Sequence, residues 1–153
     1  MNKEAWQKAL AEVTGSPLGF DENDVASINH PSLSLTVNFY YRPDGVVLYT
    51  QVGRVNHDQQ LRELLSANCM WQQTNGATLS VFEGNQVLLA YLFTAEQALQ
   101  WAHQYNQFLQ AAAFWAEKLI SPDETVLDET ASDETVSAFA DLTPSAIASA
   151  SFV

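Results

Sequence analysis

Apolar positions along the first 120 residues change period several times, and each change predicts an element. Trp6, Ala9, Leu10 and Val13 recur at helical spacing across 3–13, with Lys3, Glu4, Lys8 and Glu12 largely opposite. Gly15, Ser16 and Pro17 end that helix. A short strand is expected near 25–29, before Pro31. From Leu33 the period falls to two: Leu33, Leu35, Val37 and Phe39 alternate with Ser34, Thr36, Asn38 and Tyr40, giving one buried and one mixed face. Arg42-Pro43-Asp44-Gly45 is a turn, with proline and glycine each supplying a required backbone geometry, and 46–52 returns as the antiparallel partner. Asp58 is placed to cap a helix from Gln59 to about Met70, whose stripe is Leu61, Leu64, Leu65 and Cys69. After a connector turning at Asn75-Gly76, strands 78–83 and 86–93 are joined across Gly84-Asn85.

The last of these strands is apolar on both faces. Val87, Leu89, Tyr91 and Phe93 point one way, Leu88, Ala90 and Leu92 the other, and such a strand is usually covered on both sides. One cover is a long helix over 95–120, roughly 39 Å at ~1.5 Å per residue. Its main stripe is Trp101, Tyr105, Phe108, Ala112, Trp115 and Leu119, with Leu99, Ala102, Leu109, Ala113 and Ala116 beside it. A second subunit is the natural cover for the other side of the sheet. The resulting expectation is an α+β fold in the order α-β-β-β-α-β-β-α, a twisted antiparallel sheet with helices packed on it.

Ser121-Pro122 stops the last helix, and the composition changes there. Asp123-Glu124-Thr125, Asp128-Glu129-Thr130 and Asp133-Glu134-Thr135 repeat every five residues, a period of neither helix nor strand. Residues up to Ser151 are then rich in Ala and Ser, with isolated Phe139, Leu142, Ile147 and Phe152. Residues 1–120 are therefore expected to form one domain, and 121–153 an acidic, low-complexity, disordered tail. Of the formal net charge of −12, −7 falls on 121–153, which holds no Lys or Arg. An acidic body without a basic run offers nothing to displace counterions from a phosphate backbone, and it is repelled by an anionic membrane surface. Nucleic acid and membrane insertion are both disfavoured. Hydrophobic residues make up 47% of the chain, enough for a substantial core.

Catalytic and metal chemistry find no support in the pattern. His30, His57 and His103 lack a second His, Cys or carboxylate at ligand spacing, and Ser66 and Ser80 lack the flanking glycines of a nucleophile elbow. No glycine-rich phosphate cradle is present, so no cofactor is expected. Cys69 is the single cysteine; on the helix stripe it is expected to be a small buried hydrophobe. The N-terminus lacks the continuous apolar stretch of a signal peptide, and no run approaches the ~18 apolar residues of a membrane span. The expected setting is a reducing cytoplasm. Surplus apolar surface without reaction chemistry points to a protein that binds other polypeptides.

The order of elements in a small acidic body resembles the class I type III secretion chaperones of the Tir-chaperone (CesT) family, over about Glu4 to Leu119. The most specific part is Leu64-Leu65-Ser66-Ala67-Asn68, followed by Gly76-Ala77-Thr78-Leu79-Ser80-Val81 and the strand Val87 to Phe93. Leu18-Gly19-Phe20-Asp21 looks like the family's segment after its first helix. Val55-Asn56-His57-Asp58 replaces the usual Pro-containing lead-in to the middle helix, and the acidic tail exceeds the compact family body. The resemblance implies a bacterial cytoplasmic homodimer that holds the N-terminal segment of a secreted effector in extended form, soluble and competent for secretion, without ATP. Cargo contacts are then expected at Trp6, Leu10, Val13, Leu18, Phe20, Leu33, Leu35 and Val37, with Leu10 and Val37 the foremost candidates for core instead. The dimer interface is expected at Leu61, Leu64, Leu65, Cys69, Leu79, Val81 and Leu88. Two other readings compete: a regulatory binding module of the same fold, as in YbjN-like proteins, and an acidic immunity protein masking a basic toxin through a salt-sensitive interface.

Overall fold

The structure, a computed structural model, describes residues 1–120; the expected tail at 121–153 lies outside the described residues. Helix α1 (Lys3–Thr14) begins where the Asn2 side chain accepts the Ala5 N–H at 2.9 Å and ends at Gly15. Strands β1 (Val25–His30), β2 (Leu35–Arg42) and β3 (Gly45–Arg54) follow, then α2 (Asp58–Asn68), β4 (Thr78–Phe82), β5 (Gln86–Phe93) and α3 (Trp101–Leu119). The element order is the expected one. The five strands form one antiparallel sheet in the order β1-β2-β3-β5-β4, so the crossover through α2 and β4 brings β5 beside β3.

Several boundaries differ from expectation for local reasons. Leu33 belongs to a 3-10 turn, Pro31–Leu33, so β2 starts two residues later than its alternation suggested. Asp58 is the first residue of α2 rather than its cap; His57 stands at the N-cap position without a side-chain cap bond, and Gln60 Oε1 reaches back to accept the Asn56 N–H at 2.8 Å, which fixes the lead-in to the helix. The Asp58 carboxylate still favours the positive end of the helix. Helix α2 stops at Asn68, short of Met70. Residues 95–100 are 3-10 rather than α-helical, so α3 has 19 residues and runs about 28 Å at ~1.5 Å each. Leu99, expected beside the main stripe, is fully exposed on that turn.

The interior lies between α3 and one face of the sheet. Trp101, Tyr105, Phe108, Ala112, Trp115 and Leu119 are all buried, and they meet Phe39, Val46, Leu48, Val87, Leu89 and Phe93. Helix α1 closes the end of this layer: Trp6 stacks on Trp101 with centroids 4.6 Å apart, and Trp101 stacks on Phe93 at 6.0 Å. At the far end Gly53, with φ of 152°, lets α3 approach β3, since a Cβ there would sit 2.8 Å from the Leu119 Cβ. The opposite face of the sheet carries a smaller cluster of Val47, Tyr49 and Ala90 with Tyr40 against it. Burial there, with a smaller contribution from the Asp21 carboxylate, pushes the Tyr49 hydroxyl up to about 12.

Strand β4 lies at the edge of the sheet, and Asn68 supplies its missing partner. Its Nδ2 donates to the Leu79 carbonyl at 2.9 Å and its Oδ1 accepts the Leu79 N–H at 2.8 Å, mimicking one step of a ladder. Asn68→Ala is expected to destabilise the fold by about 1–3 kcal/mol, because both Leu79 groups lose a partner away from bulk water. Chemical denaturation measures this directly, and an unchanged midpoint would show that water replaces the amide.

Candidate functional site

The described residues assemble no reaction centre: among them no group of three or more His, Cys, Asp or Glu is placed to hold a metal ion. His30 Nε2 lies 2.7 Å from the Tyr105 hydroxyl, which burial pushes up to about 12, so the phenol stays protonated at neutral pH and the pair ties β1 to α3. Among the described residues no helix is long and apolar enough to cross a membrane. What the surface does offer is apolar area in three places.

The first lies along α1 and its exit. Trp6, Leu10, Leu35 and Val37, expected as partner contacts, are buried inside the protomer, with Leu10 and Val37 wholly inaccessible. The Trp6–Trp101 stack turns the inner stripe of α1 onto the start of α3, while Leu35 and Val37 lie on the face of β2 that joins the main core. Val13, Leu18, Phe20 and Leu33 remain half-buried at the margin of the core. Phe20 is held by Tyr41, 5.8 Å between centroids, and by the Lys3 ammonium 5.8 Å from its ring. Lys3 also pairs with Asp24. The segment after α1 is thereby fixed against the sheet with one apolar flank left open.

The second lies on α2 and the turn after it. The buried side of α2 is Gln60, Leu64 and Ala67, so Leu61 and Leu65, rotated by about 100° from that side, project outward. They are 38% and 50% exposed. Leu64, Leu79 and Leu88, expected at a subunit interface, instead belong to the protomer's buried set, and Val81 is half-buried. Cys69, expected to be buried, is exposed, because the helix has already ended and the chain turns there. Met70 and Trp71 follow with φ of 64° and 51°, a left-handed geometry costing roughly 1–2 kcal/mol at each non-glycine residue. These two large side chains are 76% and 54% exposed. A strained turn therefore holds two adjacent large apolar side chains outward. The connector behind them is rigidly held: Trp115 Nε1 donates to the Gln73 carbonyl at 3.1 Å, and Asn75 Nδ2 to the Gln107 carbonyl at 3.1 Å. Met70 and Trp71 fall on no periodic stripe; the only available sign was a large apolar pair just before the Asn75-Gly76 turn.

The third is a cleft where the sheet divides. Pairing of β2 with β3 runs from Arg42↔Gly45 to Asn38↔Tyr49 and stops, although β1 stays paired with β2 as far as His30↔Leu35. The Thr36 carbonyl accepts instead from the Thr50 hydroxyl at 2.8 Å. The gap, a cavity of about 950 Å³, is walled by Thr36 and Asn38 on one side and by Gln51 and Gly53 on the other, with Ala116 of α3 and Ile120 just past its end lining it. Nothing in the alternation of β2 signalled it, because it depends on where two strands part.

Comparison with known proteins follows this geometry. The sequence model of the Tir chaperone protein (CesT) family matches residues 8–117. No curated protein sequence matches the chain. Among solved structures, the ExsC-ExsE complex contains a chain 22% identical with a TM-score of 0.62, over 75% of this chain and 91% of that one. The HopA1-SchA chaperone-effector complex gives 14% identity and a TM-score of 0.60, over 75% and 92%. The Yersinia pestis type III secretion chaperone SycH, in complex with a fragment of YscM2, gives 13% and 0.58, over 72% and 98%. At these identities the structural likeness is one of fold, and the family match covers most of the described residues: the chain belongs to the Tir chaperone protein (CesT) family.

Proposed function

We propose that the protein is a type III secretion chaperone, a bacterial cytoplasmic homodimer that binds the N-terminal segment of a secreted effector in extended form and keeps it soluble. The observation that carries this reading is exposed apolar surface on a family-matched fold: Leu61, Leu65, Met70 and Trp71 on one side, and half-buried Val13, Leu18, Phe20 and Leu33 on another. Structures of similar fold include chaperone-effector complexes, which supports the same reading. The two surfaces divide the work. The α2 patch, rigid and strained, suits a self-complementary contact between two copies. The margin beside α1 suits apolar side chains of an extended cargo, which gains affinity from backbone hydrogen bonds and specificity from pockets. The net charge of −12 keeps the loaded complex dispersed. No catalytic role or cofactor enters this function, and residues 1–120 form its complete folding unit.

The test is recovery of the tagged protein from the cells that produce it, followed by mass spectrometry and limited proteolysis of whatever accompanies it. The expected partner is a secreted protein bound through its N-terminal segment, with that segment lacking a globular fold of its own. Salt should weaken the complex only modestly, since apolar contacts are little screened. A folded basic partner released by moderate salt would replace this reading with that of an immunity protein.

A further inference from the structure

The cleft between β2 and β3 is an interrupted ladder. The Tyr41 N–H donates to the Asp24 carbonyl at 2.9 Å, so alternation directs the backbone groups of Val37, Phe39 and Tyr41 to β1 and those of Thr36, Asn38 and Tyr40 to β3. Asn38↔Tyr49 and Tyr40↔Val47 are then bonded rungs, and the next would join Thr36 to Gln51. That rung is not made. A bulge between Gln51 and Gly53 bends β3 away, and the Thr36 carbonyl accepts from the Thr50 hydroxyl instead. The Thr36 N–H and both backbone groups of Gln51 therefore point into the gap with no rung across it. Asn38 and Gln51 line it from one face of the sheet, Leu35 and Val52 from the other, so the gap runs through the sheet to Ala116 and Glu117 of α3.

Two strand edges that face each other unpaired are matched by extended backbone, which carries donors and acceptors at the same spacing. Charge narrows the choice. Glu117 is the only charged residue lining the cleft; it is exposed, and none of the ion pairs among the described residues involves it. On a chain of net charge −12 an acidic segment is repelled, whereas one carrying Lys or Arg gains a partner on arrival. Ala113 and Ala116 keep the helix side open for the stem of a long basic side chain.

We infer that the cleft is a second contact for the effector, in which one extended stretch pairs with the free groups of Thr36 and Gln51 and sets a Lys or Arg against Glu117. The inference rests on the chaperone reading and adds a sequence preference to it: the margin beside α1 selects apolar side chains, and the cleft selects a cation.

The probe is a pooled library of random 12-residue peptides, selected on the full-length protein. Selected peptides should carry Lys or Arg and bind the Glu117→Lys protein at least about tenfold more weakly. Exchanging the basic residue of such a peptide for Glu should restore its binding to that variant and weaken its binding to the wild type. Ala116→Phe, which fills the cleft from α3, should weaken the original peptide to a similar degree, and Val13→Ser beside α1 should not. Amide exchange at Thr36 and Gln51 should slow at least about tenfold on saturation, while Leu89 in the closed ladder stays unchanged. An empty selection overturns the inference, and so does binding indifferent to both cleft variants. Exchange at Thr36 that is already slow in the protein alone overturns it too; slowing that grows with protein concentration would give the cleft to a second copy. If cleft-dependent peptides bind but no secreted partner accompanies the protein from cells, the chaperone reading fails and a peptide site remains. A secreted partner whose complex ignores Glu117→Lys and Ala116→Phe removes the cleft alone.

Discussion

Aspartate at Leu65 and Trp71 together is expected to turn a dimer of the 16.9 kDa chain into monomers without unfolding it. Both side chains are about half exposed in the protomer, at 50% and 54%, so neither is needed to complete the interior. Across a two-fold interface each substitution acts twice, removing four apolar contacts and placing four carboxylates where water is excluded. Charges stranded in this way cost several kcal/mol, enough to raise the dimer dissociation constant by roughly 100-fold or more. Light scattering at micromolar concentration reads the mass, and thermal melting at matched conditions reads the fold. A wild-type protein that is already monomeric there defeats the proposed assembly. An undiminished dimer in the variant moves the interface elsewhere, with the exposed Leu92 beside the Val47, Tyr49 and Ala90 cluster as the next surface to test.

Trp101→Ala is expected to have the largest effect on stability. Trp101 is 3% exposed and stands between Trp6 of α1 and Phe93 of β5, so its ring joins three elements. Its Nε1 also donates to the Thr94 carbonyl at 3.0 Å, fixing the turn that leads into α3. Loss of a buried tryptophan costs about 3–5 kcal/mol, on the order of 10 °C in melting temperature for a chain of this size. Trp6→Ala should cost less, since α1 can still seat Leu10, and the double variant should lose less than the two effects added, because one stack is removed in both. Additive losses would mean that Trp6 and Trp101 stabilise the fold independently and that the stack carries little coupling.

These outcomes bear on how much was legible before the fold was known. The helix and strand order followed from apolar periods alone, and the buried stripe of α3 was read residue for residue: Trp101, Tyr105, Phe108, Ala112, Trp115 and Leu119 all lie inside. The two faces of β5 were equally plain, because alternation in a strand leaves no third direction for a side chain. Boundaries were harder. Competition between local hydrogen-bonding options made Asp58 the first helical residue rather than the cap, turned Gln60 back onto the Asn56 N–H, and drew the Asn68 side chain from the helix end to the backbone of Leu79.

Periodicity determines which residues share a face, and it did so here for nearly every element. It does not state which of several apolar faces the chain itself covers. Trp6 looked as much like an anchor for a partner as like core until Trp101, far along the sequence, was seen stacked on it. Leu61, Leu64 and Leu65 formed one stripe on paper, yet the tilt of α2 against β4 buried Leu64 and left its neighbours outside. The strained Met70-Trp71 turn and the division between β2 and β3 have no sequence period at all. Both arise from how distant segments meet, since a helix end and a ladder end are set by the packing partner and not by the residues that happen to stop there.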